Sequence, residues 1–173
     1  MAAATALLAA GLSAAPVEAS DADRRFFSSV AGQWSGPGEI VAGKYKGTKF
    51  QCNFTGDTPE GKIGMSLDGG CRVGLFTQRM SANIERGRNG YRGTFMDGAI
   101  GQGLDVVGGS VTGRQVVFNL NRNALNGAMQ ARFPDADTMQ VTVSVRVDDT
   151  MVPVIGMNLK RVDGVPVGTA SNQ

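Results

Sequence analysis

The sequence predicts an all-β fold, an antiparallel up-and-down barrel of about eight to ten strands with a short N-terminal helix. Three observations carry that expectation. Strand-like runs follow one another from residue 34 to residue 162 with no strand–helix alternation, which excludes a parallel α/β sheet. Turn residues separate the runs: Asp57-Thr58-Pro59-Glu60-Gly61, Asp68-Gly69-Gly70, Asn89-Gly90, Thr112-Gly113 and Asn126-Gly127. Glycines recur inside the runs, at Gly36, Gly38, Gly47, Gly64, Gly74, Gly93 and Gly156. Such glycines mark bulges and bends where a sheet curls, which favours a closed barrel over a sandwich.

The elements follow in order. Residues 1–19 read as a secretory signal peptide: an uncharged Ala/Leu run through Ala15, broken by Pro16, then Val17-Glu18-Ala19 as a small-x-small cleavage site. No Lys or Arg precedes Arg24, so the usual basic start of such a leader is missing. The run is shorter than the ~20 residues of a membrane-spanning helix. A helix is expected over about 21–31, with Asp21 and Asp23 in its first turn and Phe26, Phe27 and Val30 on one apolar face. Gly32 ends it. A helix this short needs something to dock on.

Strands are expected at 34–42, 45–54, 63–67, 71–76, 81–85, 91–95, 104–111, 115–120, 129–133, 139–147 and 151–162, with a flexible tail over 164–173. The clearest is 139–147. Met139, Val141, Val143, Val145 and Val147 alternate strictly with Gln140, Thr142, Ser144 and Arg146, giving one apolar and one polar face. Parity puts Phe50, Phe54, Met65, Phe95, Phe118, Met129, Val143, Ile155 and Met157 inside the barrel.

Composition limits the chemistry. The 173 residues contain no His, which removes Ser-His-Asp and Cys-His nucleophiles, His-ligated zinc and His-ligated haem. Charged residues are 18% of the chain and the formal net charge is +2, so nucleic acid is not an expected partner. The acids fall mostly in turns, where Asp serves the backbone. Asp135 and Asp137 are two carboxylates where calcium takes 6–8 oxygens, and they read as turn residues. No catalytic residue, metal site or cofactor is assigned. The two cysteines, Cys52 and Cys71, lie in neighbouring strand-like runs, and an oxidising compartment favours a disulfide between them. The expected location is therefore exported, periplasmic or secreted from a bacterium, and not membrane-spanning.

The stretch Gly32-Gln33-Trp34-Ser35-Gly36-Pro37-Gly38 resembles the opening of the calycin superfamily, which includes lipocalins, avidins and fatty-acid-binding proteins. In its extended Gly-x-Trp-x-Gly-x-Gly form it is similar to nitrobindin-type haem-binding barrels. The resemblance implies that a basic residue on the last strand packs across the Trp and closes one barrel end. Arg161, in phase with Ile155, Met157 and Leu159, is the candidate partner of Trp34. The chain departs from the nitrobindin type in lacking the His that holds haem. A second resemblance is to exported bacterial metalloprotease inhibitors, which also begin Ala-Gly-x-Trp and carry one disulfide soon after. It implies that residues 21–27 act as an inserting arm.

Three functions follow as expectations. The first is a non-catalytic exported barrel holding a small apolar or amphipathic ligand inside, against Phe50, Phe54, Met65, Phe95, Phe118, Met129, Ile155 and Met157. The second is a protein-binding module, such as a periplasmic protease inhibitor or an envelope interaction partner. The third is a cofactor-free enzyme of isomerase or cyclase type, using an inward Asp105 beside Tyr91.

Overall fold

The structure is a computed structural model that describes residues 15–98 and 103–162. The first fourteen residues of the expected leader and the expected tail lie outside them. One helix, α1 (Ala15–Ser28), precedes ten strands: β1 (Gly32–Ile40), β2 (Lys49–Asp57), β3 (Gly64–Val73), β4 (Phe76–Gly87), β5 (Gly90–Met96), β6 (Leu104–Thr112), β7 (Gln115–Arg122), β8 (Leu125–Arg132), β9 (Thr138–Val147) and β10 (Thr150–Arg161). Each strand pairs antiparallel with its neighbours in sequence, and β1 closes on β10, so the barrel has no edge. The fold is the all-β, up-and-down closed barrel that the alternating runs predict.

Several boundaries differ from expectation, each for a physical reason. The predicted turn Asp68-Gly69-Gly70 lies inside β3, which fuses the runs 63–67 and 71–76. Gly69 pairs with Phe54, and a Cβ at Gly69 would lie 2.1 Å from Asn53 O and 2.8 Å from the Phe54 ring. The glycine makes room for an aromatic ring across the sheet rather than a turn. Gly109 stands in the same relation to Phe118, with 2.4 Å to Val117 O and 2.9 Å to the ring. Conversely, Gly47 and Gly74 sit in connections, with φ of 89° and 57°. The last hairpin turn before β8 uses Asn123, φ 53°, while Asn126 and Gly127 pair inside the strand. Bulges shift the register at Val106/Gly108 in β6 and at Pro153/Ile155 in β10. Pro153 cannot donate to the ladder, and the bulge accommodates it.

Helix α1 extends from Ala15 to Ser28 instead of 21–31. Ser29 and Val30 leave it through single turns onto Phe26 O and Phe27 O, before Gly32 is reached. Its apolar face closes the barrel end where β1 starts and β10 finishes. Phe26, Phe27 and Val30 are buried there. Phe27 meets Tyr91 edge-on and lies parallel to Phe118, while Phe26 meets Phe133 edge-on. Among the described residues, no helix is long and apolar enough to cross a membrane.

Candidate functional site

The two ends of the barrel are built differently. At the helix end, Trp34 is fully buried and its indole Nε1 donates to Val30 O at 2.9 Å. Arg161 pairs with Trp34 across β1 and β10 and lies over its ring, 4.3 Å from the centroid. The same guanidinium donates to Ala31 O at 2.6 Å and Ser29 O at 3.0 Å. It therefore joins an indole face to backbone carbonyls just past the helix C-terminus, where a cation is favoured. Asp23 is a second tie. It is buried mid-helix and accepts from Tyr91 Oη at 2.5 Å and from the Arg86 guanidinium. Burial, then the bond to Asp23, pushes the Tyr91 hydroxyl well above the usual phenol range. The expected Asp105–Tyr91 pair does not form: Asp105 is exposed and pairs with Thr94 on the outer face of the sheet, and the acid beside Tyr91 is Asp23.

Residues 21–27, the candidate inserting arm, belong to this packed end. Asp23, Phe26 and Phe27 are buried against the barrel, so the segment is a plug and not a free arm. Asp135 and Asp137 form a turn: Asp135 accepts from Asp137 N at 2.9 Å and Thr138 Oγ1 at 2.8 Å. These bonds, Thr138 first, hold the Asp135 carboxyl below its ordinary range. Among the described residues, no group of three or more His, Cys, Asp or Glu could hold a metal ion.

The interior is filled at the helix end and open at the other. Phe54, Met65, Phe118 and Met129 pack beneath the helix around a residual void of about 40 Å³. Above them lies a cavity of about 340 Å³ that opens at the far end of the barrel. Phe95 and Met157 border both spaces and form the floor between them. Phe50, Val143 and Ile155 line the open cavity. The predicted interior set is thus split: four residues fill the closed part, three, Val143 among them, line the open part, and two separate them. Parity did not identify Ile40, Met80, Leu104, Leu120, Leu125 or Val154, which also line the cavity. Their signal was the same alternation carried further toward the strand ends, and for Val154 only the β10 bulge brings it in.

Polar groups enter the cavity at few points. Gln78 and Ser144 contribute uncharged ones. The charged ones are Asp97 and Arg122, paired at 2.6 Å, with Arg122 Nε also donating to Gly103 O at 3.2 Å. The pair is about a quarter exposed and leaves the apolar walls without a net charge. Cys52 and Cys71 are cross-strand partners joined as a disulfide, with Cα atoms 4.0 Å apart. Cys71 reaches the cavity wall, and Cys52 Sγ lies 3.8 Å from Met157 Sδ, so the bridge buttresses the floor. With no His in the chain, haem cannot be held by the His ligand that the nitrobindin resemblance would bring.

No family model matches the sequence, and no curated protein matches it. Among solved structures, the chain is similar to the crystal structure of Rv2717c from M. tuberculosis, at 15% identity and a TM-score of 0.55. The match covers 80% of this chain and 96% of that one. The protein is therefore a closed antiparallel β-barrel similar in fold to Rv2717c, with one plugged end and one open cavity.

Proposed function

We propose that the protein is an exported, non-catalytic barrel that holds a small apolar or amphipathic molecule in its open half. The observation that carries this reading is the apolar cavity of about 340 Å³ above the Phe95–Met157 floor. Its volume falls in the range of small-molecule sites, roughly 300–1,000 Å³. Its walls supply apolar area, and Gln78, Ser144 and the Asp97–Arg122 pair supply a few orienting polar groups. Met80 and Met157 give adaptable surfaces that suit a ligand of variable shape. Export is supported by the leader-like residues 1–19 and by a disulfide that persists best in an oxidising compartment.

Displacement of a lipophilic dye, read beside native mass spectrometry, tests the reading. Saturable one-to-one dye binding that Val143→Trp abolishes supports it. Dye that does not bind, or that binds the variant equally well, refutes it.

A further inference from the structure

Among the described residues, most exposed large apolar side chains gather at one end of the molecule. Val41, Tyr45, Val73, Leu75, Phe76, Met96, Leu125, Val147 and Met151 lie at or beside the connections ringing the cavity mouth, while Val107 lies apart on the wall of β6. Two of them are extreme: Leu75 is 98% exposed and Phe76 83%. They form the tip of the β3–β4 hairpin, whose two-residue turn is Gly74-Leu75. Turn chemistry asks for Gly, Asn or Asp at such a place, so a leucine there contributes nothing to the fold. Tyr45 stands on the adjacent β1–β2 connection, 63% exposed, with Lys44 over its ring. Contiguous exposed apolar surface of this kind marks a binding face.

The charge nearest the tip is mostly basic. Lys44, Lys46, Lys49, Arg72 and Arg79 are exposed on the β1–β4 sector of the rim, where the one acid is the half-buried Glu39. Asp148 and Asp149 stand on the β9–β10 turn, which neighbours the β1–β2 connection because β10 pairs with β1. An apolar tip flanked by cations is the pattern that enters the headgroup region of an anionic bilayer. The tip protrudes and forms no groove, which suits a soft lipid surface. Two such rims facing each other would bring like charges together, which disfavours a second copy.

We infer that the Leu75–Phe76 tip, with Tyr45 and the surrounding lysines and arginines, docks the barrel mouth-down on an anionic phospholipid surface. The cavity then opens toward the bilayer, and an apolar ligand passes between lipid and barrel without crossing water. The transfer rests on the reading of the cavity given above; the docking rests on the rim alone.

The test is co-sedimentation of the chain with vesicles of phosphatidylcholine, and of phosphatidylcholine with an equal part of phosphatidylglycerol. A Phe76→Trp variant adds an optical reporter, since Trp34 is fully buried at the opposite end. Binding is expected to the anionic vesicles, with a blue shift of the new Trp. It should weaken as ionic strength rises from ~0.1 M to ~1 M and the screening length falls from ~10 Å to ~3 Å. Leu75→Ser with Phe76→Ser is expected to lower partitioning by about tenfold or more. Lys44→Glu with Lys46→Glu is expected to remove the preference for anionic lipid. All four positions are exposed, so the thermal midpoint should hold, and it is measured for each variant. The inference is overturned if the chain ignores anionic vesicles at low salt, or if the serine pair leaves binding unchanged. It is also overturned if that pair abolishes self-association in sedimentation equilibrium while vesicles never bind. Dye binding by the serine pair separates the two claims: dye retained with vesicles lost supports docking, and vesicles retained without dye in the wild type refutes only the cavity reading.

Discussion

Arg161 lies across the ring of Trp34, 4.3 Å from its centroid, while its guanidinium donates to the carbonyls of Ser29 and Ala31. One side chain thus closes the β1–β10 seam and holds the helix plug. Arg161→Ala removes the cation–π contact and two charge-assisted hydrogen bonds, and should cost about 2–4 kcal/mol. Arg161→Lys keeps the charge but loses the planar fork, and should fall between wild type and alanine. Urea unfolding with an unchanged m-value is the measurement.

Tyr91 and Asp23 predict an alkaline limit to stability. The folded pKa of Tyr91 is raised, so the neutral hydroxyl is favoured in the native state. Its contribution is complete below the unfolded value of about 10 and is lost as pH rises toward the folded value. Unfolding followed by circular dichroism across this range should show falling stability in the wild type and a flatter profile in Tyr91→Phe. At neutral pH, Tyr91→Phe should cost about 1–3 kcal/mol, because Asp23 loses a buried donor.

The disulfide ties β2 to β3 over a sequence separation of 19 and braces the cavity floor. Replacing both cysteines with serine should destabilise the barrel by about 2–4 kcal/mol. Thermal melts with and without reductant should differ for the wild type and coincide for the double variant.

Gly69 and Gly109 are sites where a methyl group has nowhere to go. A Cβ at Gly69 would meet a backbone oxygen at 2.1 Å, and one at Gly109 at 2.4 Å. Alanine at either position should cost about 1–3 kcal/mol through backbone displacement. Alanine at Gly43, where nothing lies within 4 Å of a Cβ, tests backbone conformation alone because its φ is 86°.

The barrel was legible in the sequence because alternation survives burial. Met139 to Val147 reads as a strand in either state, and Trp34 and Arg161 mark its two closing ends. Asp68-Gly69-Gly70 misled because composition cannot tell a glycine that turns from one that yields to Phe54. Asp23 reads as a first-turn charge serving the helix, whereas its carboxylate is buried and accepts from Tyr91 and Arg86 across the barrel end. The cavity was only half legible. Parity says that Phe118 and Ile155 both point inward, but not that one fills the plugged half and the other lines open space. Height along the barrel depends on register and bulges, which are properties of the whole sheet.

The central claim is that the open half of the barrel receives a ligand, and dye displacement compared across the two halves tests it most directly. Val143→Trp, which occupies the open cavity, should abolish binding, whereas Phe118→Leu in the packed half should lower stability and leave dye affinity within about threefold. Equal binding by wild type and Val143→Trp, or no binding by either, would contradict the account.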